Sequence, residues 1–254
     1  MKIAIITGAS SGMGKTFVSR ILQGRETFDE IWLIARREER IQAVQRQFPR
    51  QKFRIFALDL ADSSKLDLLE ESLNQTDGHA ALFVHCAGFG IMGDISRLPR
   101  KDQADMVDIN CRSVVELTSL LLPFMAAEGR MIYLSSASAF LPQPGFAVYA
   151  ASKAFVLSFV RSLRAEQRGR GLKITAVCPG AVRTEFFDRA LEYKDLPAYK
   201  KLVMADPAKV VARALADNGK NREVSVYGLP IRGTRLFAKL LPHRLILRFM
   251  GGGE

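Results

Sequence analysis

Tyr149 and Lys153 stand four residues apart in the run Val148-Tyr149-Ala150-Ala151-Ser152-Lys153-Ala154-Phe155, which opens a long amphipathic stretch. On a helix, a four-residue step puts both side chains on one face, one turn apart, so an ammonium lies near a phenol. A tyrosine with its ordinary pKa of about 10 is a poor acid–base group at neutral pH. A neighbouring cation favours the phenolate and lowers that value, which makes general acid–base chemistry feasible. Such pairs also occur on exposed helix faces, where they do no chemistry. Here the pair follows a strand-like stretch that ends in Leu134-Ser135-Ser136.

A second chemical signal opens the chain. Ile3 to Ile6 lead into Thr7-Gly8-Ala9-Ser10-Ser11-Gly12-Met13-Gly14, after which Phe17, Val18, Ile21 and Leu22 take up helical spacing. Glycines between strand and helix let the backbone approach a pyrophosphate, and the helix N-terminus offers unpaired N–H groups. Tight packing of helix on strand also calls for small residues, so the loop alone is a weak signal. Lys15 follows Gly14, but without the spacing of a P-loop, which disfavours kinase or ATPase chemistry. The end of the second apolar run chooses between nicotinamide cofactors, because an acidic side chain accepts from a ribose 2′-hydroxyl whereas arginine pairs with a 2′-phosphate. That end reads Ile34-Ala35-Arg36-Arg37, with no Asp or Glu before Glu38. Guanidinium matches phosphate geometry, so NADP(H) is expected over NAD(H), against the alternative of two solvated arginines at a helix start.

The elements that must position these residues alternate along the whole chain. Short β-rich runs predict strands near 2–6, 30–35, 53–57, 80–85, 130–135, 173–178 and 223–227. Amphipathic stretches predict helices near 12–24, 37–48, 63–75, 100–127, 149–168 and 206–217. This order implies an α/β fold, a Rossmann-like, doubly wound, parallel seven-stranded sheet with helices on both faces and ligands beyond the carboxyl ends of its strands. No linker, repeat or low-complexity segment divides it, so residues 1–254 are expected to form a single domain.

Composition bounds the rest. Of 254 residues, 48% are hydrophobic and 25% charged, which fits a folded globular chain. Cys86, Cys111 and Cys178 form no C-x-x-C pair, which points to a reducing, cytoplasmic compartment. The apolar start is too short for a signal peptide, and no apolar run reaches a membrane span. A net charge of +11 invites nucleic-acid binding, but the 37 Lys and Arg are dispersed, so a solvated basic surface is expected and no nucleic-acid partner.

Taken together, the motifs resemble the short-chain dehydrogenase/reductase family over nearly the whole chain. They stand in the family's order: Thr7 to Gly14 as T-G-x-x-x-G-x-G, Asp59 after the third strand, Ala87-Gly88 after the fourth, Asn110, Ser136, Tyr149 with Lys153, and Pro179-Gly180 after the sixth. Ser136 precedes Tyr149 by thirteen positions, the family's common spacing, which favours it over Ser135 or Ser138. The resemblance implies an NADP(H)-dependent oxidoreductase acting on a small carbonyl or alcohol substrate. Tyr149 would give a proton to the substrate oxygen and Ser136 would hold that oxygen. Lys153 would depress the tyrosine pKa and hold the nicotinamide ribose, and Asn110 would help carry protons to Lys153 through water. Gly8, Ser10, Ser11, Gly12, Met13 and Gly14 would cradle the cofactor, with Arg36 and Arg37 at its 2′-phosphate and Asp59 and Leu60 at its adenine. Ala87, Gly88, Pro179, Gly180 and Val182 would complete that site, with Thr184 near the nicotinamide amide. A homodimer or homotetramer is implied as well.

One departure stands out, since His85-Cys86-Ala87-Gly88 replaces the family's frequent Asn-Asn-Ala-Gly. Cys86 is expected as a small buried hydrophobe and His85 as a packing residue; no partner at ligand spacing supports a metal. An apolar pocket is expected from Phe89, Ile91, Met92, Phe140, Phe146, Phe186 and Phe187, some of which core packing will claim. Two other functions compete: a catalytically silent NADP(H) sensor or scaffold, and a sugar-nucleotide epimerase or dehydratase, for which the C-terminal part is short. Finally, segment 229–254 interleaves Arg232, Arg235, Lys239, Arg244 and Arg248 with apolar residues and lacks acidic ones up to Met250. Packing beside the substrate pocket or across a subunit interface is expected there, ahead of contact with an anionic membrane surface.

Overall fold

The computed structural model describes residues 1–193 and 204–250, the last two without their side chains. Strands β1 (Lys2–Thr7), β2 (Glu30–Ala35), β3 (Phe53–Ala57), β4 (His79–His85), β5 (Met125–Leu134), β6 (Lys173–Val177) and β7 (Val224–Ser225) form one sheet. All six pairings are parallel, in the order β3-β2-β1-β4-β5-β6-β7. The central strands carry apolar residues on both faces because both faces are covered. Ile3 and Ile5 of β1 point into one core with Trp32, Phe83, Tyr133 and Val160, while Ala4 and Ile6 point into the other with Phe17, Leu33 and Val211.

The helices are α1 (Gly12–Leu22), α2 (Glu38–Arg46), α3 (Asp67–Asn74), α4 (Arg100–Val107), α5 (Ser113–Leu121), α6 (Ala147–Glu166), α7 (Phe186–Ala190), α8 (Pro207–Gly219), α9 (Leu229–Leu240) and α10 (His243–Met250). Most boundaries fall within two or three residues of the sequence reading. The expected single helix over 100–127 is instead two helices joined by a π-turn at Asp108–Arg112. It ends early, because Pro123 closes the chain into a 3-10 turn, Leu122–Phe124. Strand β5 then starts at Met125 rather than near 130: Met125 pairs with Ala80, the register shifts, and Arg130 resumes against Leu82. Glu128, at φ 58, makes the excursion between them. Helices α7, α9 and α10 were not expected as elements, and residues 251–254 of the expected tail segment lie outside the described residues.

The strand order reverses at β1, which lies between β2 and β4. Thr7 pairs with Ile34 on one side and His85 on the other, so the three strands end level. The Thr7 hydroxyl accepts from the N–H of Cys86 (3.1 Å) and of Ala87 (3.0 Å), which locks the β1 and β4 ends together. A crevice at such a switch point is where doubly wound sheets bind ligands.

Candidate active site

A cleft of about 1210 Å³ opens beyond these strand ends. It is lined by Gly8, Ser10, Ser11, Gly12, Met13, Gly14, Arg36, Arg37, Asp59, Leu60, Ala87, Gly88, Ser136, Tyr149, Lys153, Pro179, Gly180, Val182 and Thr184. Of the catalytic and cofactor-binding residues expected from sequence, Asn110 does not line it. Residues more than 170 positions apart thus share one surface.

The glycine turn fits a dinucleotide phosphate. Gly8 adopts φ +65, where a side chain would be strained, and a Cβ there would lie 2.9 Å from the Ala87 nitrogen. Ser11 starts α1 without a side-chain cap, and the first turn holds no acidic residue, so the positive helix end faces the cleft unneutralised. Arg37 reaches over this turn and donates to the Ser11 hydroxyl at 3.0 Å. Arg36 lies 3.9 Å from Asp59 on the adjoining wall. Sequence reasoning missed Arg40 and Glu185: the Glu185 carboxylate pairs with Arg40 at 2.5 Å and with Arg37 at 3.7 Å. That contact joins α2 to the segment that begins α7, and no local pattern signals a pairing across 145 residues.

The opposite end of the cleft holds the acid–base group. Helix α6 places Tyr149 and Lys153 on its inner face, both under a tenth exposed. Ser136 follows β5, and its hydroxyl accepts from the Ser138 N–H at 3.1 Å. Burial pushes the Tyr149 phenol up to about 12, while its hydrogen bond to Ser136 pulls the other way. Burial also holds Lys153 down to about 8. Its Nζ donates to the Leu134 carbonyl at 3.0 Å and sits 5.7 Å from the centre of the Tyr149 ring.

Asn110 sits in the π-turn, buried, with its amide donating to the Phe89 carbonyl (2.8 Å) and the Ser152 hydroxyl (3.0 Å). Its side-chain oxygen accepts from the Phe89 N–H at 3.1 Å. With its amide so engaged, Asn110 fixes the loop after β4 against α6. Ser135 adds a second tie, donating to the Lys153 carbonyl at 2.8 Å.

Of the expected pocket residues, Phe89, Met92, Phe146, Phe186 and Phe187 line the cleft, whereas Ile91 and Phe140 do not. Ile91 is buried in a small apolar cluster with Leu98 and Met106, and Phe140 packs against the main core. The Phe146 ring stacks on Tyr149 at 4.2 Å and Phe186 lies 5.4 Å from it, so the phenol is walled by aromatics. His85 is held neutral, its pKa lowered to about 3 by burial and by the Lys153 charge, and lies 3.4 Å from the Ser113 hydroxyl. Burial pushes the Cys86 thiol up, consistent with a small hydrophobe.

A parallel sheet with its cleft at the strand-order reversal and an uncapped glycine turn at a helix start defines a Rossmann-like fold. The short chain dehydrogenase family matches residues 2–194, and the chain belongs to that family. Its members use a nicotinamide cofactor. A sulfoacetaldehyde reductase of Chromohalobacter salexigens is 32% identical over 186 residues, 71% of this chain and 72% of that one. The (S)-benzoin-forming benzil reductase of Saccharomyces cerevisiae is 29% identical over 194 residues, covering 72% and 73%. Among solved structures, a short-chain dehydrogenase from Sphingobium yanoikuyae in complex with NADPH superposes with a TM-score of 0.80 at 24% identity, covering 97% of this chain and 95% of that one. That likeness carries the fold.

Proposed function

We propose that residues 1–254 form one NADP(H)-dependent oxidoreductase domain that interconverts an apolar carbonyl compound and its alcohol. The observation that carries this reading is the cleft itself, with Arg37 over the glycine turn and Arg36 on the adjoining wall at one end and a buried Ser136–Tyr149 hydrogen bond among aromatics at the other.

The glycine turn and the start of α1 would hold the pyrophosphate, Arg36 and Arg37 the 2′-phosphate, and Lys153 the nicotinamide ribose. The nicotinamide supplies or takes up the hydride. Ser136 donates to the carbonyl oxygen and fixes it beside Tyr149. Tyr149 delivers its proton to that oxygen as negative charge develops there, and a phenol that burial keeps protonated suits this direction. Lys153, charged below about pH 8, stabilises the phenolate left behind. Phe146 and Phe186 exclude water from the phenol and offer apolar surface to the substrate. The benzil reductase relative supports an apolar carbonyl, and NADPH in the Sphingobium structure supports the cofactor choice.

Cofactor selection gives the test. Removing a charge-assisted phosphate contact costs about 1.5–3 kcal/mol, so Arg37→Ala should weaken NADPH by roughly ten- to a hundredfold and leave NADH nearly unchanged. Arg36→Ala should act in the same sense. Glu185 competes with a phosphate for Arg37 and Arg40, so Glu185→Gln should tighten NADPH, by up to about fivefold for an exposed pair. Fluorescence titration of both cofactors measures all three. Equal losses for NADPH and NADH in the arginine variants would refute phosphate recognition by this pair.

A further inference from the structure

Helix α9 carries no buried residue. Its inner side reaches the cleft through Ile231 and Thr234. Leu229, Leu236 and Leu240, spaced seven and four residues apart, form a stripe on the other side, exposed by 78%, 58% and 69%, with Phe237 beside them at 63%. Leu241 and Leu245 extend the apolar surface towards α10, at 44% and 47%. Arg232, Arg235 and Lys239, three and four residues apart, form a second stripe alongside, and Arg244 and Arg248 continue the charge. Between Leu229 and Met250 there is no Asp or Glu. A contiguous apolar patch of this kind marks an interaction surface.

We propose that this face docks on an anionic lipid surface, with the leucine and phenylalanine stripe entering the headgroup–acyl boundary and the basic stripe resting on lipid phosphates. Two short helices with one apolar face and a purely basic flank have the make-up of a segment that lies in the interface plane. Among the described residues no helix is long and apolar enough to cross a membrane. Charge selects the occupant. A second copy meeting this face about a two-fold axis would set five cations against five, without an acidic partner on the segment. A leaflet rich in anionic lipid attracts those cations and takes up the apolar side chains together. Because Ile231 and Thr234 lie on the opposite, cleft-facing side of the same helix, docking leaves α9 between the lipid surface and the cleft.

Sedimentation of the full chain with vesicles tests this. At low ionic strength the chain should pellet with vesicles of phosphatidylglycerol and phosphatidylcholine and stay in solution with phosphatidylcholine alone. In about 1 M salt, where charges are screened beyond about 3 Å, the binding should largely disappear. The triple variant Leu236→Ser, Phe237→Ser, Leu240→Ser should reduce vesicle affinity about tenfold or more, and so should Lys239→Gln, Arg244→Gln, Arg248→Gln. All six residues are exposed, so both variants should keep wild-type circular dichroism and NADPH affinity. If the apolar variant does not fold, the basic variant decides alone. Failure of the intact chain to bind anionic vesicles at low salt would overturn the proposal. So would unchanged binding by folded variants. A halved mass in light scattering for the apolar variant, without vesicle binding by the intact chain, would assign the face to a second copy instead.

Discussion

Tyr149→Phe should lower turnover in both directions by about 10²–10⁴-fold, the usual worth of a positioned acid–base group, while NADPH affinity stays within a few fold. The substitution removes one oxygen and leaves the ring where it packs between Phe146 and Phe186, so the wall of the cleft is kept. The phenol acts on substrate oxygen, so cofactor affinity is the internal control. The pH profile carries a second signature. Lys153 loses its charge above about pH 8 and Tyr149 holds its proton to about 12, so carbonyl reduction by the wild type should be steady through neutral pH and fall above about 8. Steady-state kinetics across this range measures both. Near-wild-type turnover in Tyr149→Phe, or a reduction rate that climbs above pH 8, would remove the proposed acid.

Gly14→Ala should damage the cofactor end as severely as the tyrosine change damages the chemical end. A Cβ at Gly14 would lie 2.2 Å from the Gly8 carbonyl oxygen, 2.6 Å from its carbon and 3.1 Å from the Ala9 nitrogen. These are backbone atoms of the turn itself, and no side chain can rotate away to relieve the clash. Overpacking of this kind costs about 1–3 kcal/mol or more. For a chain of this size, the melting temperature falls by about 2–4 °C per kcal/mol. The glycine turn would also open, so NADPH binding should be lost or reduced by at least tenfold. Gly169→Ala is the matched control, since nothing lies within 4 Å of a Cβ there, and it should melt with the wild type. A Gly14→Ala protein that melts and binds NADPH like the Gly169→Ala control would show that the turn yields more easily than its packing implies.

Much of the fold and the candidate site is legible in local pattern. Strand β2 falls where 30–35 was expected, because a buried parallel strand reads as a continuous apolar run. The glycine turn is legible because strand, glycines and amphipathic helix are consecutive. What local pattern misreads has tertiary causes. The run from Leu120 to Ala127 reads as helix, yet Met125 is claimed by pairing with Ala80, a contact no local window holds. The one-turn spacing of Tyr149 and Lys153 is legible, whereas the burial that raises the one and lowers the other depends on the fold around them. Asn110 stands out as a lone polar residue, whereas its grip on Phe89 and Ser152 needs the π-turn and the approach of α6. Glu185 is unremarkable in sequence, and only the closure of the cleft brings it to Arg37 and Arg40.

The central claim, hydride exchange between a nicotinamide and an apolar carbonyl, is tested most directly by following a labelled hydride. NADPH carrying deuterium at the nicotinamide C4 is incubated with the chain and a panel of aromatic aldehydes, ketones and diketones, and the products are analysed by mass spectrometry. The expected result is stoichiometric NADPH oxidation with at least one carbonyl, and deuterium on the carbinol carbon of its alcohol. Tight NADPH binding with no labelled alcohol from any member of the panel would contradict the claim and leave the chain as a cofactor-binding sensor.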